Sequence, residues 1–152
     1  MTEPTIHIVE DVAVAGAEYV VAGLRAALEE SDTASLVLAG GQTPLALYAQ
    51  LAKADLPWER VHVFWSDERL VPPDDPGSNH AAAHDALLSR VSLPEANVHR
   101  IKGELEPAAA VADYAEQLRA FAQQHDPGCP SPWPRFDVAL LGLGEDGHTA
   151  SL

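Results

Sequence analysis

Three short apolar runs, each stopped by a glycine-rich or charged turn, constrain this chain more than any other feature. Ser35–Ala39 (SLVLA) ends in Gly40-Gly41-Gln42, and Val61–Trp65 (VHVFW) ends in Ser66-Asp67-Glu68-Arg69. Phe136–Leu141 (FDVALL) breaks into Gly142, Gly144 and Gly147, with Glu145, Asp146 and His148 on the turn. Near-continuous apolar runs suit strands covered on both faces. Segments of helical period lie between them. Asp11 can cap a helix to about Glu30, with Val20, Leu24 and Leu28 on one stripe. Thr43 fits an N-cap and Pro44 the first helical position, which turns Leu47, Tyr48 and Leu51 inward. Ser78 opens a helix through Leu88, and Pro107 starts one that keeps Val111, Tyr114, Ala115, Leu118, Phe121 and Ala122 in period. Thr5–Val9 and Val98–Ile101 are expected to be further short strands.

Strands alternating with helices imply an α/β fold: a doubly wound, mainly parallel, Rossmann-like sheet. The 152 residues suit one domain, with neither an internal repeat nor a second domain. The pattern calls for a helix after the last apolar run, but the sequence stops at Leu152, so the sheet is expected to be incomplete.

Charge narrows the partners. With 23 acidic against 9 basic residues the net charge is −14, and such a surface repels phosphodiester backbones. Nucleic acid is therefore not an expected partner, whereas backbone amides and one or two arginines can still hold a small phosphate. No apolar run nears the ~18 residues of a membrane span, and MTEPTIHIVEDV has no secretory-signal pattern. The expectation is a cytoplasmic protein with no membrane partner. The lone Cys129, in a proline-rich loop without nearby bases, reads as incidental.

In an open parallel sheet, ligands bind past the carboxyl ends of the strands. The three turns lie there. Gly40 and Gly41 let the backbone turn tightly ahead of a helix whose free amides suit an anion, and Thr43 adds a hydroxyl. Asp67 and Arg69 sit at the second strand end; Glu68, facing away from them, reads as structural or solvated. Gly142-x-Gly144-x-x-Gly147 matches a dinucleotide fingerprint. It falls on the last strand rather than the first, however, and its charged pair crowds a pyrophosphate. No nicotinamide or flavin is expected. His80 and His84 are spaced i, i+4, but no cysteine or HExxH joins them and Asn79–Asp85 reads as a solvated helix face, so no metal is expected either. His7, His62, His99 and His125 are scattered and read as structural, and no GxSxG elbow occurs.

Taken together, GGQTP, SDERLVP, Ser78-Asn79 and GLGEDGHTASL resemble the 6-phosphogluconolactonases in motif order and spacing, along most of the chain from Ser35 onward. The glucosamine-6-phosphate deaminases are similar in fold, but they usually place a tyrosine where this chain has Arg69. They also follow Asp-Gly-His with a run unlike Thr149-Ala150-Ser151-Leu152. The resemblance implies residues 1–152 as the larger, N-terminal part of a longer lactonase domain, hydrolysing 6-phospho-D-glucono-1,5-lactone to 6-phospho-D-gluconate without a cofactor. His148 is then the general base for water, and Asp146 orients its ring. Gly41, Gln42 and Thr43 bind the phosphate, while Gly40, Asn79, Gly144 and Gly147 line the substrate. Arg69 holds the phosphate or steadies the oxyanion. Asp67 bonds sugar hydroxyls or serves as a second acid–base group. The expected partner is the sugar-phosphate lactone alone, and a monomer is the default. Two rivals stay open: a deaminase releasing ammonia from glucosamine 6-phosphate, and a non-catalytic sugar-phosphate effector domain.

Overall fold

The computed structural model describes residues 4–150. Four parallel strands form one sheet: β1 (Ala34–Leu38), β2 (Val61–Trp65), β3 (Val98–His99) and β4 (Val138–Ala139), in the spatial order β3-β2-β1-β4. Four helices join them: α1 (Val12–Glu30), α2 (Thr43–Leu51), α3 (Asn79–Ala86) and α4 (Pro107–His125). The chain steps outward from β1 to β2 to β3, then returns to place β4 on the other side of β1. That reversal puts the topological switch point between β1 and β4.

Side chains on a strand point alternately to its two faces, and here the alternation sorts the core. Leu36, Leu38, Val63 and Trp65 face α1, α2 and α3, where Val20, Leu24, Leu47, Tyr48 and Leu51 complete the larger core. Val37 and Phe64 point the other way, against Phe121 of α4, with Leu118 and Phe136 packed around them. Helices on both faces make the sheet doubly wound, as expected. Asp11 caps α1, its Oδ1 accepting from the amides of Ala13 and Val14 at 2.9 and 3.0 Å. At the far end of α1, Arg60 donates to the Leu28, Ser31 and Asp32 carbonyls, satisfying groups that the last turn leaves open.

Several expectations are corrected. Residues 5–9 form no strand: Ile8 is 96% exposed, and alternation without a neighbouring strand to pair with makes no ladder. The start of α2 moves by one residue. Gln42 already has helical angles and occupies the cap position without a side-chain bond, so Thr43 opens the helix and Pro44 follows. Helix α3 is shorter than expected, with Ser78 as its cap and a 3-10 turn at Leu88–Arg90 after it. The Val98–Ile101 strand contracts to two residues. Val111 is exposed, next to the buried Ala110, because it lies on the outer side of α4. The Phe136–Leu141 run yields only the short β4, which borders no further strand among the described residues, and Leu141 and Leu143 are exposed.

Candidate active site

Both loops that flank the switch point carry candidate residues. Gly40–Thr43 leaves β1, and Gly142–His148 leaves the neighbouring β4. Adjacent strands are ~4.8 Å apart, so the two loops rise from the sheet side by side. The Asp67–Arg69 turn leaves β2 on the other flank of β1.

Two tyrosines fix where these loops begin. The Tyr48 hydroxyl, from α2, donates to the Ala39 carbonyl at 2.7 Å and accepts from the Ala39 amide at 2.9 Å. On the opposite face Tyr114 of α4 does the same at Trp65, donating at 2.8 Å and accepting at 3.1 Å. Each phenol meets both polar backbone groups of one residue at the end of a strand. Burial pushes the Tyr114 phenol up to about 12 and raises Tyr48 further, so both remain donors.

In the first loop Gly41 takes the left-handed conformation, φ +93°, which glycine adopts without strain. Among the described residues, the amides of Gly41, Gln42 and Thr43 meet no acceptor, and all three residues are exposed at the start of α2. They form the kind of helix entrance that takes an anion.

In the third loop a turn is closed by Gly147 N–H donating to the Gly144 carbonyl at 2.9 Å and Gly144 N–H to the His148 carbonyl at 2.8 Å. Gly147 is left-handed at φ +91°. The His148 ring lies against the Gly144 α-carbon, where any side chain would also come within 2.9 Å of Asp146 Oδ1. His148 Nδ1 is bonded to Asp146 Oδ1. That bond holds the Asp146 carboxyl below its ordinary range, so the carboxylate accepts and Nδ1 carries the proton. In the neutral ring this tautomer leaves the lone pair on Nε2, and the His148 side chain is 59% exposed. A neutral imidazole oriented in this way can take a proton from water. The ring is not turned into the core. No hydrogen bond among the described residues joins this turn to Thr43 or Asp67.

At the second loop, Asp67 accepts from Ser66 Oγ at 2.9 Å and from Asn79 Nδ2 at 3.1 Å. Arg69 is exposed. Three bases follow strand ends: Arg100 pairs with Glu104 and Lys102 with Asp113, and Arg69 alone has no carboxylate partner among the described residues. Glu68, read as structural or solvated, is structural. Its carboxylate accepts from the amides of Asn79 and His80 at 2.7 and 2.9 Å and from Ser78 Oγ at 3.0 Å. The sequence carried a signal for this role, because α3 has no acid in its own first turn and its entrance favours one. The supposed solvated face of α3 is also corrected, since Asn79 and Ala83 are buried.

His62, His99 and His125 are not scattered. They converge under α4, with His62 Nδ1 and His99 Nε2 3.0 Å apart and the His125 ring 4.9 Å from that of His62. No group of three or more His, Cys, Asp or Glu among the described residues is arranged to hold a metal ion. A cavity of about 430 Å³ opens at the other end of the strands, lined by Thr33, Ser35, His125, Arg135 and Asp137 among others. It shares no residue with the three loops. No helix among the described residues is long and apolar enough to cross a membrane.

Comparison with known proteins bears on this geometry. Residues 9–152 match the family model described as glucosamine-6-phosphate isomerases/6-phosphogluconolactonase. The chain is 40% identical over 136 residues to a 6-phosphogluconolactonase of Nostoc, covering 89% of this chain and 55% of that protein. It is 38% identical over 156 residues to a 6-phosphogluconolactonase of Thermotoga maritima, covering 100% of this chain and 64% of the relative. A crystal structure of 6-phosphogluconolactonase from Thermotoga maritima superposes with a TM-score of 0.83 at 38% identity, covering 96% of this chain and 62% of that one. The chain thus spans roughly half to two thirds of the length of these relatives.

Proposed function

This chain belongs to the glucosamine-6-phosphate isomerase/6-phosphogluconolactonase family, and from that premise we propose that its protein hydrolyses 6-phospho-D-glucono-1,5-lactone to 6-phospho-D-gluconate. The carrying observation is that an Asp146-oriented imidazole and the open amides of Gly41–Thr43 rise from the two strands flanking the switch point. His148 Nε2 takes a proton from water as the oxygen attacks the lactone carbonyl. The imidazolium formed is stabilised by Asp146 and returns the proton to the departing ring oxygen. The Gly41, Gln42 and Thr43 amides bind the 6-phosphate. Arg69, with no carboxylate partner among the described residues, supplies positive charge to the phosphate or the developing oxyanion. Asp67, already a double acceptor, receives sugar hydroxyls. No cofactor or metal takes part.

The named relatives support the lactone over the amino sugar. Acid release from the lactone and ammonia release from glucosamine 6-phosphate, measured side by side, test the choice. Lactone-dependent acid release above the spontaneous rate is expected, without ammonia. Ammonia release would install the deaminase, and binding without turnover of either would install the effector domain.

A further inference from the structure

Asn79 was expected to line the substrate, yet it is only 8% exposed and lies between two of the site loops. On one side its Nδ2 donates to both the Asp67 carbonyl and Asp67 Oδ2, each at 3.1 Å. With Ser66 Oγ on Oδ1, both carboxylate oxygens of Asp67 are engaged, which defines the plane of the group. On the other side Asn79 lies against Gly40. A Cβ built there would fall 2.6 Å from Asn79 Cγ and Oδ1, well inside van der Waals contact. Gly40 is not among the left-handed glycines, so room rather than backbone freedom requires it.

Asn79 is in turn held from behind. It is the first residue of α3, and Glu68 Oε1 accepts its amide at 2.7 Å while Oε2 accepts that of His80 at 2.9 Å. Glu68 and Asp67 are neighbours in sequence but turn apart, one to the helix entrance and one to the Asn79 side chain.

We propose that Asn79 is a positioning residue that sets the Asp67 carboxylate against the Gly40 turn, and that Glu68 holds Asn79 in place. The β1 and β2 loops are then one rigid unit rather than two independent arms. The kinetic readout rests on the lactonase reading above; the structural readout does not.

The test uses the full-length protein and the lactone. Asn79→Ala is expected to raise KM about tenfold, the scale of one lost hydrogen bond to a charged group, with kcat within about threefold. Gly40→Ala is expected to do the same by displacing the Asn79 amide. The double variant is expected to be no worse than Gly40→Ala alone, because removing the Asn79 side chain removes the clash. Glu68→Gln is expected to raise KM about threefold, since one of its oxygens still accepts. Asn79→Asp keeps the shape but sets two carboxylates face to face. Its kcat/KM is expected to recover between pH 8 and pH 6 as the pair takes up a proton, a profile Asn79→Ala will lack. Unchanged KM in Asn79→Ala, or effects of Gly40→Ala and Asn79→Ala that simply add, would overturn the proposal. Crystal structures of Asn79→Ala and of the isosteric Asn79→Asp decide the same point without activity: Asp67 must leave its rotamer. If wild type fails to hydrolyse the lactone, the functional reading falls, and the Asp67 rotamer still judges the positioning.

Discussion

His148 and the trio His62, His99 and His125 place the same imidazole in two opposed settings. His148 stands at a strand-end turn, open to solvent, with a carboxylate bonded to Nδ1. His62, His99 and His125 pack under α4 against Phe64 and Phe121, where the His99 and Phe64 rings stack at 4.4 Å and those of His125 and Phe121 at 4.3 Å. Their polar partners are neutral: His99 for His62, and the Thr33 hydroxyl for His125. Burial pushes His62 and His99 down to about 4, the neighbouring histidines adding to the effect, and lowers His125 as well. The side chain is the same, and its surroundings decide whether it stands open beside a carboxylate or fills space among aromatic rings.

The sharpest way to break this contrast is His148→Ala. Loss of about a thousandfold in lactone hydrolysis is expected, within the usual range for a general base, with the urea midpoint unmoved. A fully active variant removes the base assignment. Next in size, Phe121→Ala is expected to cost about 3 kcal/mol of stability, because it empties the centre of the smaller core. Denaturation that shows no loss would mean that α4 is held by something other than its aromatic contacts. Asp146→Asn is expected to slow turnover through loss of ring orientation and of the Nδ1–H tautomer, without lowering stability. Equal rates would make the Asp146–His148 bond incidental.

A pH dependence completes the comparison, and its sign follows from the depressed values. Unfolded histidine titrates near 6.5 and folded His62 and His99 near 4, so the unfolded chain binds more protons between those limits. The stability supplied by the neutral cluster is complete above about pH 6.5 and falls as pH drops through that window, levelling below about 4. Urea midpoints at pH 7, 5.5 and 4.5 should decline in that order, and His62→Phe should flatten the decline. A midpoint that rises on acidification would reverse the account.

Much of this was legible where local chemistry decides it. The Asp11 cap, the limits of β2 and the Pro107 start of α4 follow from side chains within a few residues of each feature. The histidine cluster was not, because it depends on sheet register. His62 shares a face with Phe64 two residues on, and Phe64 is aligned with His99 on the neighbouring strand. Strand alternation separated Glu68 from Asp67, but their partners, the α3 entrance for one and the Asn79 side chain for the other, appear only once Ser78–His80 are brought beside them. The motif residues of the site were readable as types and order. Their grouping around the switch point needed the return of the chain to β4.

The paired phenols have a consequence for motion. Because Tyr48 clasps both backbone groups of Ala39 and Tyr114 those of Trp65, any swing of the loops toward a ligand must pivot beyond those two residues. Opening and closing is thereby confined to a few peptide units on each side, and the sheet beneath can stay still while they move.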